Sequence, residues 1–304
     1  MKNASAEKVK APAVKKKAAK YNRITVFDIV LYIIMILFMA CIILPFVNII
    51  SVSVSEMKYV VTGEVGLWPK GWDPSAYVKV FEEGGFLRAY GNTIWYTVVG
   101  TALSLVTTAM AAYALSRRRL VGHGIFSLMI TITMFFGGGL IPTYLVVSKL
   151  GLDNTRWVMI IPGLISTWNL IVMRSFFAAY PQEIIESGMM DGLRDPGVFL
   201  RLVLPTSKAA LATIGLYYAV GYWNNYMTAR IYIRDETLYP VMHMLQKMVG
   251  QLAAEDTQGT DGTTLTAATI RNASIVVVVT PIMCVYPFIQ KHFVKGVMVG
   301  SIKG

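Results

Sequence analysis

Apolar residues along this chain gather into six runs, near residues 29–51, 89–115, 124–147, 158–177, 209–229 and 272–290, with polar segments between them. A helix rises about 1.5 Å per residue and the hydrocarbon core of a bilayer is about 30 Å thick, so roughly 20 mostly apolar residues cross it. The pattern therefore predicts an all-α, polytopic membrane protein with six transmembrane helices. The one long polar interruption of helical character is residues 181–208, PQEIIESGMMDGLRDPGVFLRLVLPTSK, between the fourth and fifth runs.

Composition agrees: of 304 residues, 55% are hydrophobic and 15% charged, too apolar for an ordinary soluble domain. A net charge of +11 taken alone would suggest a nucleic-acid partner. Its distribution argues otherwise. With the N-terminus inside, the inner segments hold 18 of the 28 basic residues and carry net +12, against −1 for the outer segments. That asymmetry follows the positive-inside rule, places both termini in the cytoplasm, and assigns the excess charge to topology and to contact with membrane lipid. No nucleic-acid role is expected. Residues 1–23 are a lysine- and alanine-rich tail, expected to be disordered and to serve as an inside anchor, and residues 24–304 form the membrane domain. The first run is too long for a signal peptide and is expected to remain as a span.

Several chemistries lack their parts. No Asp, Glu, Lys, Arg or His falls in the middle of a run, Asp28 and Arg174 lying only at the ends, so a proton relay at membrane depth is missing. No GxxxxGK[ST] loop occurs, and His123, His243 and His292 lack metal-ligand spacing. Nothing points to an enzyme. Cys41 and Cys284 fall inside runs and read as small buried apolar residues. Pro45, Gly137 to Gly139, Pro142, Pro162, Pro281 and Pro287 are helix breakers, suited to kinks in a mobile bundle and also simply common in membrane helices.

Two outer segments are long. Residues 52–88 mix Trp68, Trp72 and Tyr77 with Gly and Pro, as an interfacial anchor or a docking lip for an external protein would. Residues 230–271 place Met242, Leu245, Met248, Val249 and Leu252 at helical spacing, as in a helix lying on the outer membrane surface, followed by a Gly- and Thr-rich loop.

The polar segment reads as two short helices and a turn. Pro181 opens the first, which carries Ile184, Ile185, Gly188 and Met189 on one face and Glu183 and Glu186 on another; Gly192 ends it. Asp195 and Pro196 start the second, whose apolar residues Phe199, Leu200, Val203 and Leu204 precede Pro205. The small residues Ser187 and Gly188 suit close approach by another protein, although an amphipathic pair resting on the bilayer has the same pattern.

EIIESGMMDG followed by FLRLVLP resembles the coupling motif, the EAA loop, of ABC importer permeases. Glu186, Ser187 and Gly188 stand at the EAA positions, Asp191 and Gly192 at the DG, and Leu204 and Pro205 at the LP, with Ser-Gly in place of Ala-Ala. NTIWYTVVGT, AAYALSR, GLIPTYLV, Trp223–Asn224 and the ending FVKGVMVGSIKG are similar to the carbohydrate branch, the second permease subunit of maltose-type systems, and GEVGLWPKGW to its subgroup for complex oligosaccharides and polysaccharide fragments. The resemblance implies a cytoplasmic coupling-helix hairpin at 181–208. It implies partners too: a second permease subunit, two cytoplasmic ATPase subunits that use ATP and magnesium, and an extracellular solute-binding protein. No cofactor is bound by this chain itself. Glu183, Glu186, Ser187, Gly188, Asp191, Gly192, Arg194 and Pro205 would form the coupling contact or hold its shape, and the C-terminal tail at 291–304, through Lys303 and Gly304, would reach the ATPases.

For the solute path, Tyr217, Tyr218, Tyr222, Trp223, Asn224, Asn225 and Tyr226 cluster in the fifth run and Trp168 and Asn169 lie in the fourth. Flat aromatic faces with amide and hydroxyl partners suit a neutral sugar. The same residues could instead serve helix packing. The expected function is thus the membrane subunit of an ATP-driven sugar importer. Rival readings are an importer of the same class for another solute, or an ATP-independent carrier.

Overall fold

The computed structural model describes residues 25–82, 85–257 and 268–284, with backbone only for 251–257. The basic tail, the Gly- and Thr-rich loop after residue 257, the end of the sixth run and the C-terminal tail with Lys303 and Gly304 lie outside the described residues. What is described is all-helical.

The chain divides into two units after Phe46. The first contains most of α1 (Val26–Ser53), whose start is capped by Asp28 accepting from the Thr25 N–H at 2.8 Å and whose apolar side chains are exposed. Cys41 is exposed here, and Cys284 likewise in the second unit, so neither is the buried residue expected. Side chains that would face water in an isolated chain are at home against lipid, and burial inside the protein is not needed to keep a thiol dry.

In the second unit, the segment after α1 contains α2 (Met57–Val61) and α3 (Ser75–Glu82) and is tied by side chains. Asn48 donates to the Gly66 carbonyl at 2.9 Å and Ser51 to that of Leu67 at 2.7 Å, leaving Trp68 and Trp72 exposed.

The centre of the second unit is α4 (Phe86–Ser116). Gly100, Ser104 and Thr108 recur every four residues and so form one small-residue stripe along the helix. Against it, and against α7 below, packs the bundle. Next come α5 (His123–Phe135) and α6 (Leu140–Lys149), which meet at 117° across Gly137 to Gly139, the last at φ +82°. The fourth run is a short helical stretch at 156–163 followed by α7 (Thr167–Ala178), bent by 51°; Pro162 sits in the first piece, and Ser166 caps the second by accepting from the Asn169 N–H. Then follow α8 (Gln182–Met190), α9 (Asp195–Val198), a π turn, α10 (Leu204–Thr206) and α11 (Lys208–Trp223), the last two meeting in an 83° bend just after Pro205.

The fifth run is therefore shorter as a helix than its apolarity suggested. It stops at Trp223, and α12 (Met227–Tyr232) begins after a break at Asn224 to Tyr226. Two described helices are long and apolar enough to cross a membrane, or five spans if each bent pair counts as one; α14 (Ala268–Cys284) is the described part of the sixth run.

Between α12 and α14, α13 (Val241–Thr257) forms where helical spacing predicted it. It does not rest on a membrane surface through its apolar face. Val241, Leu245 and Met248 are buried against Ala76, Val80, Phe86, Ala89, Ala273 and Val278. Its start is fixed from α4: Thr93 accepts from the Val241 N–H at 2.8 Å, and Asn92 and Tyr96 donate to the carbonyls of Thr237 and Leu238.

The seam between α4 and α11 combines packing and hydrogen bonds. Tyr222 lies flat over Gly100, where an added Cβ would come 2.8 Å from the ring. Its hydroxyl pairs with that of Ser104 at 2.8 Å, and one turn away Tyr218 pairs with Thr108 at 2.6 Å. Overpacking of a tight site costs about 1–3 kcal/mol, so Gly100→Ala should lower the thermal unfolding midpoint measurably. Gly91→Ala, on the same helix with open space around it, should leave the midpoint unchanged or raise it slightly. Equal midpoints for the two variants would show that the close approach of Tyr222 contributes nothing. A second expectation concerns α13, where burial, reinforced by the charges of Lys247 and Arg230, holds the pKa of His243 below its ordinary value. The folded chain thus favours neutral imidazole. That part of the stability is present above the unfolded value of about 6.5 and is lost as pH falls through it toward the lower folded value. The unfolding midpoint should drop between pH 7.5 and 5.5, and His243→Gln should flatten that dependence.

Candidate functional site

The bends do more than shorten helices. Where the fourth run breaks at Pro162 and Gly163, and where α11 passes opposite, a cavity of about 450 Å³ opens. Its walls are Trp168 and Asn169 at the start of α7, Tyr217, Tyr218, Gly221 and Tyr222 on α11, Asn225 and Thr228 beyond it, and Ser166 with the 158–163 stretch. No carboxylate, guanidinium, amine or imidazole is among them.

Six of the nine residues expected on a solute path are brought together here: Trp168, Asn169, Tyr217, Tyr218, Tyr222 and Asn225. Their parts differ. Trp168 is 58% exposed and offers a free indole face, as does the exposed ring of Tyr217. Tyr218 and Tyr222 present ring surface only, because their hydroxyls are engaged with Thr108 and Ser104, and Tyr218 also accepts from the Ser166 N–H at 2.9 Å. The Asn225 carboxamide oxygen accepts from the Thr228 N–H at 3.2 Å, which turns its amide group outward from the backbone. The Asn169 carboxamide enters no hydrogen bond among the described residues.

The other three residues, Trp223, Asn224 and Tyr226, lie outside this lining, Tyr226 donating its N–H to the Asn224 carbonyl at 3.0 Å. Trp223 is buried with its ring 6.1 Å from that of Tyr90, and Asn224 donates to the Val220 carbonyl at 2.9 Å, closing the end of α11. Helical phase explains Trp223: positions 217, 218, 221 and 222 share a face of α11 and 223 falls on the opposite side, whereas Asn224 lies past the end of the helix. Ser166, Gly163 and Thr228 were not singled out from sequence. The Pro-Gly pair at 162–163 was the available signal, since a broken helix leaves a gap that neighbouring side chains line.

The polar segment folds into a hairpin with a defined turn. Asp191 follows the last residue of α8, and Gly192 adopts φ +88°. The Leu193 N–H donates to the Gly188 carbonyl and the Gly192 N–H to that of Met189, both at 3.0 Å. This is the Schellman arrangement, in which a left-handed residue after the helix turns the chain while satisfying its last carbonyls.

Burial splits α8 into two sides. Ile185 and Gly188 are buried, Gly188 so closely against Leu202 that an added Cβ would come 2.6 Å from its Cδ1. The absent side chain at 188 thus serves packing within the hairpin. Glu183, Ile184, Glu186, Ser187 and Met190 are exposed, Met190 at 89%. Gln182 donates to Glu186 at 3.1 Å. Arg194 and Asp191 are exposed and enter no ion pair among the described residues, so they do not lock the turn. That part falls to Asp195, which pairs with Arg119 at 3.3 Å and connects the hairpin to the end of α4. Pro205 is exposed next to the bend that leads into α11.

Comparison with known proteins gives a consistent picture. No family model matches the chain. The polygalacturonan/rhamnogalacturonan transport system permease protein YtcP of Bacillus subtilis is 39% identical over 283 residues, covering 91% of this chain and 98% of that protein. Protein LplC of the same organism is 41% identical over 267 residues, 86% of this chain and 90% of that one. A chain in the crystal structure of a bacterial ABC transporter involved in the import of the acidic polysaccharide alginate superposes with a TM-score of 0.81 at 34% identity, covering 88% of this chain and 96% of that chain. With near-full-length similarity of this kind in sequence and in fold, the chain belongs to the ABC transport permeases of the carbohydrate-importing branch.

Proposed function

We propose that this chain is one transmembrane half of an ATP-driven importer of oligosaccharides, with six spans and both termini in the cytoplasm. A second permease completes the pathway, an extracellular binding protein delivers the solute, and two cytoplasmic ATPases supply the energy. The observation that carries this reading is the two-sided hairpin: α8 buries Ile185 and Gly188 toward its own chain and leaves Glu183, Ile184, Glu186, Ser187 and Met190 exposed on the other side. In this reading that free side is the part inserted into a cleft of the ATPase, and α8 acts as a coupling helix of the EAA type. The sequence holds no GxxxxGK[ST] loop, and in this reading ATP and magnesium belong to the partner.

The cavity on α7 and α11 is then this chain's contribution to the solute path. Indole and phenol faces stack on the C–H faces of a sugar ring, and the carboxamide of Asn169 and the amide nitrogen of Asn225 meet its hydroxyls. The alginate and polygalacturonan/rhamnogalacturonan relatives favour an oligosaccharide fragment over a single sugar. ATP-driven closure of the ATPases would move the hairpin as a rigid body, and because α10 leads directly into α11, the cavity wall moves with it.

Two measurements test the two halves of this proposal. Gly192 sits at φ +88° with open space around it, so a side chain there disturbs the backbone alone, at about 1–2 kcal/mol. Gly192→Asp should leave the protein in the membrane but abolish co-purification of the ATPase. Intact association and uptake would refute the coupling assignment. Trp168→Ala should lower solute-stimulated uptake about tenfold, corresponding to one lost stacking contact of about 1.4 kcal/mol, while ATPase association persists. Unchanged uptake would remove Trp168 from the path.

A further inference from the structure

A second cavity, of about 400 Å³, lies where α4 and α7 end and α8 begins. Three consecutive arginines, Arg117, Arg118 and Arg119, line it together with Phe177, Ala178 and Ile185. Among the described residues one acid answers them: Arg119 pairs with Asp195. Arg117 is held in place without a counter-charge, its guanidinium 4.7 Å over the Tyr113 ring and donating to the Tyr113 hydroxyl at 2.7 Å, while its Nε is buried without a hydrogen-bond partner. Arg118 is exposed and enters no ion pair or hydrogen bond among the described residues. The carboxylate of Glu186, the nearest other acid in sequence on α8, is taken by Gln182.

Two features identify the occupant. Guanidinium groups offer forked donors that match phosphate oxygens, and a buried unmatched Nε is one donor short. The remaining walls combine apolar Phe177, Ala178 and Ile185 with the polar groups of Ser116, Tyr180 and Gln182, and the cavity stands at the level where two membrane helices stop together, at Ser116 and Ala178. A phosphodiester with a glycerol backbone and acyl chains beneath it meets both demands. An acidic protein surface meets only the first, and it would also approach the carboxylates of Glu183 and Glu186 on the free side of α8. We propose that Arg117, Arg118 and Arg119 bind the phosphate of an anionic phospholipid of the cytoplasmic leaflet, which props α8 against the ends of α4 and α7. The inference rests on the orientation given under the proposed function.

The complete importer in phosphatidylcholine nanodiscs containing phosphatidylglycerol provides the test. Native mass spectrometry should find phosphatidylglycerol retained on this subunit, and Arg117→Gln with Arg118→Gln should reduce that retention about tenfold or more. Ala178→Trp, which fills the cavity and keeps every charge, should do the same, so misfolding of the arginine variant does not decide the outcome. Arg201→Gln, an exposed arginine of the hairpin outside this cavity, should have no effect. Equal retention in all variants overturns the site. Retention that inorganic phosphate displaces overturns the lipid assignment and leaves a free-anion site. Loss of ATPase association in lipid-free detergent on substituting the arginines also overturns it, because the arginines would then serve the ATPase. Absence of any ATPase association in the unmodified importer would refute the proposed function itself, a result separable from all of these.

Discussion

The contact between Gly100 on α4 and the ring of Tyr222 on α11 is the constraint from which the arrangement around the cavity follows. Between helices in lipid the hydrophobic effect supplies little attraction, so close packing and interhelical hydrogen bonds must hold them together. A glycine at position 100 lets an aromatic ring lie directly on the backbone of α4. Ser104 and Thr108, one and two turns on, then take the hydroxyls of Tyr222 and Tyr218. With both ends of each tyrosine committed, the opposite edges of the same rings are left as a fixed wall of the cavity. Packing and the proposed solute path would therefore use the same two residues, through different atoms.

That seam also explains how distant parts of the chain can act as one lever. The hairpin helices run through Pro205 into α11, whose far end carries the cavity wall. At the near end, Asp195 holds Arg119 at the foot of α4. In the proposed coupling, a displacement of α8 would reach α11 along the chain, through the turn at 191–194 and the bend after Pro205, and α4 through an ion pair and the tyrosine seam. The exposed ion pair is individually weak, of order 0–1 kcal/mol. The covalent route through the 83° bend carries most of the mechanical connection.

Hydrophobic runs and breakers were legible in the sequence to a useful degree, and the misreadings have physical causes. Gly137 to Gly139 and Pro162 stood out as breakers, and each lies at or beside a bend. The break after Trp223 did not stand out, because Asn224 to Tyr226 is preceded and followed by residues as apolar as a helix interior. Helical spacing found α13 but not what covers it: an amphipathic face fits a neighbouring helix as well as a lipid surface, and only the fold brings Val80 and Phe86 to Leu245. Gly188 was read as a place for a partner to approach. It turned out to admit Leu202 of the same hairpin, a contact no spacing rule anticipates. Gly192, by contrast, was legible because a left-handed turn after a helix has one common solution.

The uncharged lining of the cavity bears on how such a pathway can work at all. An ion pair or charge-assisted hydrogen bond to the solute in a site of low dielectric would be strong, and each 1.4 kcal/mol of grip slows escape about tenfold. Aromatic faces and amides give contacts that are individually modest and can be exchanged one for another along an oligosaccharide. If the cavity is the solute path proposed above, a wall built from Trp168, Tyr217, Asn169 and Asn225 would guide a polyhydroxylated chain without retaining it. In the proposed importer, discrimination by charge would then come from the external binding protein or the second permease, and this subunit would select for shape and hydroxylation, while the arginine-lined cavity lies at the foot of α4.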